Sequence, residues 1–196
     1  LLLAVQENLV AAQVADSPDV PALIEAYYDV RAGLGFNHPP EVFGAFPTDP
    51  YSHTPGHSGA QQPGMTGQVK EEILTRFGEL GVQFAGGQVA FNPTFLRASE
   101  FNANATQFDY VDFDGNPQIL SLPEASLAFT LTGVPIVYQH VTGTSEYAVY
   151  CGTEVEPAQA KVGTLLDAEA SHDLLQRANK IHHIVVKFGD DFCFLD

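Results

Sequence analysis

Phe108-Asp109-Tyr110-Val111-Asp112-Phe113 runs straight into Asp114-Gly115, and this stretch decides the fold. Phe108, Tyr110 and Asp112 alternate with Asp109, Val111 and Phe113, the two-residue period of a strand whose faces meet different surroundings. Asp-Gly is a turn pair, because both residues tolerate the backbone that a tight reversal demands. Outward from here the same grammar repeats at Val89–Phe91, Ser126–Leu131, Ile136–Val141, Tyr147–Cys151 and His182–Phe188, with Gly133-Val134-Pro135 a second turn signal. Short runs separated by turns predict an antiparallel β-sandwich over residues 86–196. Leu166, Ala170 and Leu174, spaced by four, predict one short helix within residues 165–178.

Upstream of Gly86-Gly87 the period is helical, so the chain reads as α+β: a helical segment, residues 1–85, followed by the sandwich. Leu2, Val5, Leu9 and Ala12 recur at three and four, and Asp19-Val20-Pro21 opens a second helix carrying Leu23, Tyr27, Val30 and Leu34. Gly33 and Gly35 stop it. A long polar loop, residues 37–65, holds six of the 13 prolines; a connection of that length tends to be functional. Thr66 caps a third helix that runs to Gly81. At 100° per residue Ile73, Phe77 and Leu80 fall within about 80° of Val69, an apolar face with Arg76 and Glu72 at its border and Glu71 pointing away.

The whole chain of 196 residues carries 24 acidic side chains against 8 Lys and Arg, a net charge of −16. Nucleic acid and anionic membranes are excluded as partners, since both are held by clustered Lys and Arg. With 45% hydrophobic residues and 14 Phe the chain folds around a substantial core. Cys151 and Cys193 are too few for a disulfide scaffold or a zinc cage; one disulfide or two buried thiols fit equally. Leu1-Leu2-Leu3-Ala4-Val5 lacks a basic region before it and reads poorly as a signal peptide. A first residue other than Met suggests a piece of a longer chain.

The densest chemistry lies between Asp49 and Gln68. Tyr51, His53, His57, Gln61, Gln62 and Gln68 mix donors with acceptors on a backbone stiffened by Pro and opened by Gly, the mixture that a neutral polyhydroxylated ligand requires. The alternative is a crossing loop whose Gln and His side chains satisfy its own backbone. His53 and His57 are four apart, but Pro55 and Gly56 deny them a helix and no third ligand completes a set, so no metal is expected there. His182-His183 sits in an alternating strand, which sends the two rings to opposite faces as structural residues. There is no Gly-rich phosphate cradle and no Gly-x-Ser-x-Gly elbow, and no cofactor is expected. Carboxylate acid–base chemistry then rests on Asp49, at the mouth of the loop, and Glu72, at the start of the third helix. The plainer roles are a turn cap for Asp49 and an ion pair with Arg76 for Glu72.

Tyr27-Tyr28-Asp29-Val30-Arg31-Ala32-Gly33-Leu34-Gly35-Phe36, the string from His53 to Glu72, and Leu127-Ala-Phe-Thr-Leu-Thr-Gly-Val-Pro-Ile-Val-Tyr138 occur in an order that resembles the C-terminal part of a six-hairpin (α/α)6-barrel carbohydrate enzyme. The resemblance spans most of the chain and lies in style and order. It implies acid and base carboxylates in loops at one end of the barrel, and a glycan or oligosaccharide as substrate. Three helices cannot close a barrel of twelve, so it also implies that the rest of the same chain, or another subunit, covers the helical face. The chain departs from such enzymes in having no Trp, which leaves Tyr27, Tyr28, Phe43, Phe46 or Tyr51 to stack on sugars.

Two functions follow as expectations. In one, the chain is the C-terminal part of a carbohydrate-active enzyme, a glycoside hydrolase, with residues 49–72 lining the cleft. In the other, it is a non-catalytic β-sandwich module for carbohydrate binding or scaffolding.

Overall fold

A computed structural model describes residues 2–15, 17–33, 66–152, 160–190, 192 and 194. These form an α+β protein that divides into two compact units, Leu1–Gly78 and Glu79–Asp196.

The first unit contains α1 (Leu2–Val14), α2 (Val20–Gly33) and most of α3 (Thr66–Glu79). Leu9 and Tyr27 are fully buried, and the Tyr27 and Tyr28 rings meet edge to face at 5.2 Å. Gln6 joins the helices: its Nε2 donates to Thr75 O at 2.8 Å, and its amide lies where a Cβ on Gly78 would be. The face of α3 turned to α1 is therefore the Thr75 and Gly78 side. Ile73, expected inside, is 53% exposed. The helical wheel ranks residues by their own apolarity and takes no account of a buried glutamine seeking a backbone carbonyl.

The second unit is built on a five-stranded sheet in the order β5-β6-β9-β7-β8. Its strands are β5 (Ser126–Leu131), β6 (Val134–His140), β7 (Glu146–Cys151), β8 (Lys161–Val162) and β9 (Ile181–Phe188). Pairing is antiparallel except between β6 and β9, which run parallel from Ile136↔Ile184 to His140↔Phe188. The expectation of a wholly antiparallel sheet is corrected at that one pairing. Parallel neighbours need a crossover connection, and the chain from His140 to Ile181 supplies it by way of β7, β8 and α4 (Ala168–Leu175).

Two hairpins cover the sheet. Leu122, Phe108 and Leu120, from β3 (Thr106–Val111) and β4 (Pro117–Leu122), pack on Val137, Val185, Ala128 and Tyr150 on one face. On the other, Tyr138 is fully buried among Phe91, Phe129 and Phe188, and its hydroxyl donates to Leu80 O at 2.6 Å. Phe91 belongs to the hairpin of β1 (Val82–Ala85) and β2 (Gln88–Phe91). Gly86 and Gly87, at φ 59° and 81°, form its two-residue turn, which requires positive φ at both positions. The glycine pair thus lies inside the second unit.

α4 closes against β2. Val89 N donates to Ser171 Oγ, Leu166 N donates to Val89 O, and Asp167 caps the helix by accepting from Ala170 N at 2.8 Å. Lys161 pairs with the same carboxylate, and that contact, then the Ala170 N–H, holds it below the usual carboxylate range.

Candidate functional site

The residues expected to carry chemistry fall largely beyond the described region. Asp49, Tyr51, His53, His57, Gln61 and Gln62 lie outside the described residues. Gln68 and Glu72 are placed on α3 by their backbone, and their side chains are likewise outside. Cys151 carries a free, half-buried thiol.

Within the second unit, a depression of about 290 Å³ opens where the tip of the β3–β4 hairpin, the β5–β6 turn and the start of β9 converge. Asp112 builds the hairpin tip. Its Oδ1 accepts from the backbone N–H groups of Asp114 and Asn116 at 2.9 and 2.8 Å, and its Oδ2 accepts from Gln118 Nε2 at 2.8 Å. The Asn116 N–H, then the Gln118 amide, hold the Asp112 carboxyl below its ordinary value. Asp112 is thus a fixed negative acceptor and a poor proton donor. Tyr110, also lining the depression, is raised by partial burial and then by the nearby Asp112 charge.

Opposite stand Asn179, Lys180 and His182. Asn179 has φ 52°, a conformation that asparagine accepts more readily than most residues. Lys180 donates to both Asp173 oxygens at 2.9 and 3.1 Å, which fixes its ammonium and raises its pKa. The floor includes Phe113, whose ring carries the Arg177 guanidinium 5.2 Å from its centroid, and Gly133 of the β5–β6 turn. At that turn Thr132 and Gly133 take φ 53° and 94°, and Thr132 Oγ1 donates to Leu174 O.

β9 departs from regular alternation at this end. Tyr150 pairs with His183 and Cys151 with Ile181, so β9 carries an extra residue, His182, opposite β7. Such a bulge rotates the added side chain out of register. The two histidine rings therefore meet, Nδ1 to Nδ1 at 2.8 Å, instead of pointing to opposite faces as the alternation predicted. His183 also stacks on Tyr150, ring centroids 4.0 Å apart at 15°. Burial, then the His182 ring, lowers its pKa to about 4.

The depression brings together Tyr110, Asp112, Gln118, Asn179, Lys180 and His182, none of which the sequence singled out for binding. The one local signal was Asp114-Gly115, which marks the turn that Asp112 organises. No protein-family model matches the chain, and no curated protein matches it in sequence.

Proposed function

We propose that the second unit is a binding module for a neutral, hydroxyl-rich ligand such as an oligosaccharide, received in the depression between the β3–β4 tip and the start of β9. The observation that carries this reading is the mixed lining. Amides of Gln118 and Asn179 give and accept hydrogen bonds, Asp112 accepts, Lys180 donates, and the Tyr110 ring offers a flat apolar face. The volume, about 290 Å³, sits near the lower edge of ordinary small-molecule sites, roughly 300–1,000 Å³.

Binding is favoured by the character of the carboxylate in the lining. Glycoside hydrolysis uses a pair of carboxyl groups, one of them holding a proton at working pH. Among the described residues Asp112 is the one carboxylate of the lining, and its hydrogen bonds oppose protonation. The glycoside hydrolase reading rests on Asp49 and Glu72, whose side chains lie outside the described residues.

A screen of neutral oligosaccharides against the full chain tests the proposal, followed by titration of each ligand found against Tyr110→Leu and Lys180→Met. The expected result is binding without turnover, weakened at least about ten-fold in both variants, the loss expected when a charged hydrogen bond or a stacking contact is removed. Binding unaffected in both, or no binding of any oligosaccharide, overturns it. Hydrolysis abolished by Asp49→Asn or Glu72→Gln replaces it with the enzymatic reading.

A further inference from the structure

The bulge in β9 creates an arrangement that regular strand geometry forbids. Adjacent strand residues normally project their rings to opposite sides of a sheet. Here the extra residue turns His182 toward His183 and leaves their Nδ1 atoms 2.8 Å apart. In the metal-free pair one Nδ1–H donates to the other Nδ1, so one ring carries its proton on Nδ1 and the other on Nε2.

We propose that His182 and His183 form a two-nitrogen chelating site for a first-row transition metal ion that favours square-planar or tetragonal coordination, copper(II) above all. The spacing of the donors carries the argument. With imidazole nitrogens about 2.0 Å from the metal, ligands at 90° stand about 2.8 Å apart and ligands at the tetrahedral angle about 3.3 Å. The hydrogen bond already holds the two donors 2.8 Å apart, so they need only turn their lone pairs, without separating, to offer a right-angled bite, and tetragonal nitrogen sites select Cu(II) or Ni(II). Cu(II) also stands highest in the affinity order of divalent first-row ions.

One further feature suits the pair to this role. Tyr150 stacks at 4.0 Å on His183 and fixes its ring, so part of the ordering that chelation requires is already present. Coordination breaks the Nδ1–H···Nδ1 bond. The donating ring moves its proton to its own Nε2 through water, both Nδ1 lone pairs turn to the ion, and no net proton is released.

Among the described residues no group of three His, Cys, Asp or Glu side chains is placed to hold a metal ion. The two histidines therefore supply two positions, and water or a ligand in the adjoining depression, which His182 lines, fills the others. The inference stands on the bulge and does not depend on which ligand the depression takes.

The test uses the full chain, stripped with EDTA and titrated with copper sulfate at pH 7, read by calorimetry and by electron paramagnetic resonance. The expected result is about one Cu(II) per chain with an axial spectrum showing coupling to two equatorial imidazole nitrogens, the signature of a tetragonal site. His182→Ala removes an exposed ring and should lower the affinity at least about ten-fold while circular dichroism stays unchanged. His183→Gln should do the same, with the fold checked in the same way. His53→Ala combined with His57→Ala, and Cys151→Ser, should each leave affinity and spectrum unaltered. Retained two-nitrogen coupling in His182→Ala, or loss of binding in the His53/His57 or the Cys151 variant, overturns the proposal.

Discussion

Replacing Tyr138 by Phe removes one oxygen from the centre of the second unit and leaves the ring in place. That oxygen donates to Leu80 O at 2.6 Å, at the entry to β1, and Tyr138 is fully buried. Leu80 is itself buried, so the loss includes the desolvation of an acceptor left without this donor, in total about 2 kcal/mol. Edge-to-face contacts with Phe91, Phe129 and Phe188, at 5.8, 5.1 and 4.9 Å, survive the change. Tyr138→Leu loses them as well and should cost about 3–5 kcal/mol. For a unit of this size, about 2 kcal/mol lowers Tm by roughly 8 °C, which differential scanning calorimetry resolves. A Tyr138→Phe protein melting within about 1 °C of the parent would refute the reasoning, since it would mean that the carbonyl finds another partner or that the contact contributes nothing.

Three further outcomes are expected. Gly81, at φ 64°, lies so close to the Asn92–Pro93 backbone that an added Cβ overlaps it; Gly81→Ala should cost about 3 kcal/mol or more, seen in urea unfolding, because backbone cannot step aside as a side chain can. Ser171 is fully buried and accepts from Val89 N while donating to Leu166 O, so Ser171→Ala should destabilise by about 1–3 kcal/mol through the orphaned Val89 N–H, with a thermal melt as the check. His183 has its pKa lowered from 6.5 to about 4 by burial and then by His182. The unfolded chain takes up that proton first, so this contribution is complete above pH 6.5 and is lost as pH falls toward 4. After discounting for the ring's partial exposure it amounts to about 1–2 kcal/mol, and His183→Gln should flatten stability against pH across that window.

Legibility in the sequence followed how local each cause is. The alternation in Phe108–Phe113 and the Asp114-Gly115 pair lead directly to β3 and the turn that follows it, and the spacing of Leu166, Ala170 and Leu174 to α4, because a strand or helix face is written within a few residues. β1, β4 and the two-residue β8 went unread. Val82–Ala85 is too short to show a period, and Pro117–Leu122 opens on a residue that argues against a strand unless it stands at the first position. β9 entering parallel beside β6 is a choice of neighbour, which no local pattern encodes. The site was harder still. Tyr110 and Gln118 are cross-strand partners in the β3–β4 hairpin, Asn179 and His182 stand at the entry to β9, and their meeting depends on the sheet. The histidine pair was hidden for a sharper reason: alternation separates the two rings, and only the register against Tyr150 and Cys151 brings them together. The expected loop chemistry at Asp49, Tyr51, His53, His57, Gln61 and Gln62 belongs to residues outside the described set.

The central claim, that the depression at the β3–β4 tip binds a hydroxyl-rich ligand, is met most directly by recording amide ¹H–¹⁵N spectra of the full chain during titration with the best oligosaccharide from a neutral glycan screen. The account predicts saturable shifts concentrated at Tyr110, Asp112, Gln118, Asn179, Lys180 and His182. Saturable shifts elsewhere with these six amides unmoved, or no shifts at all, would contradict it.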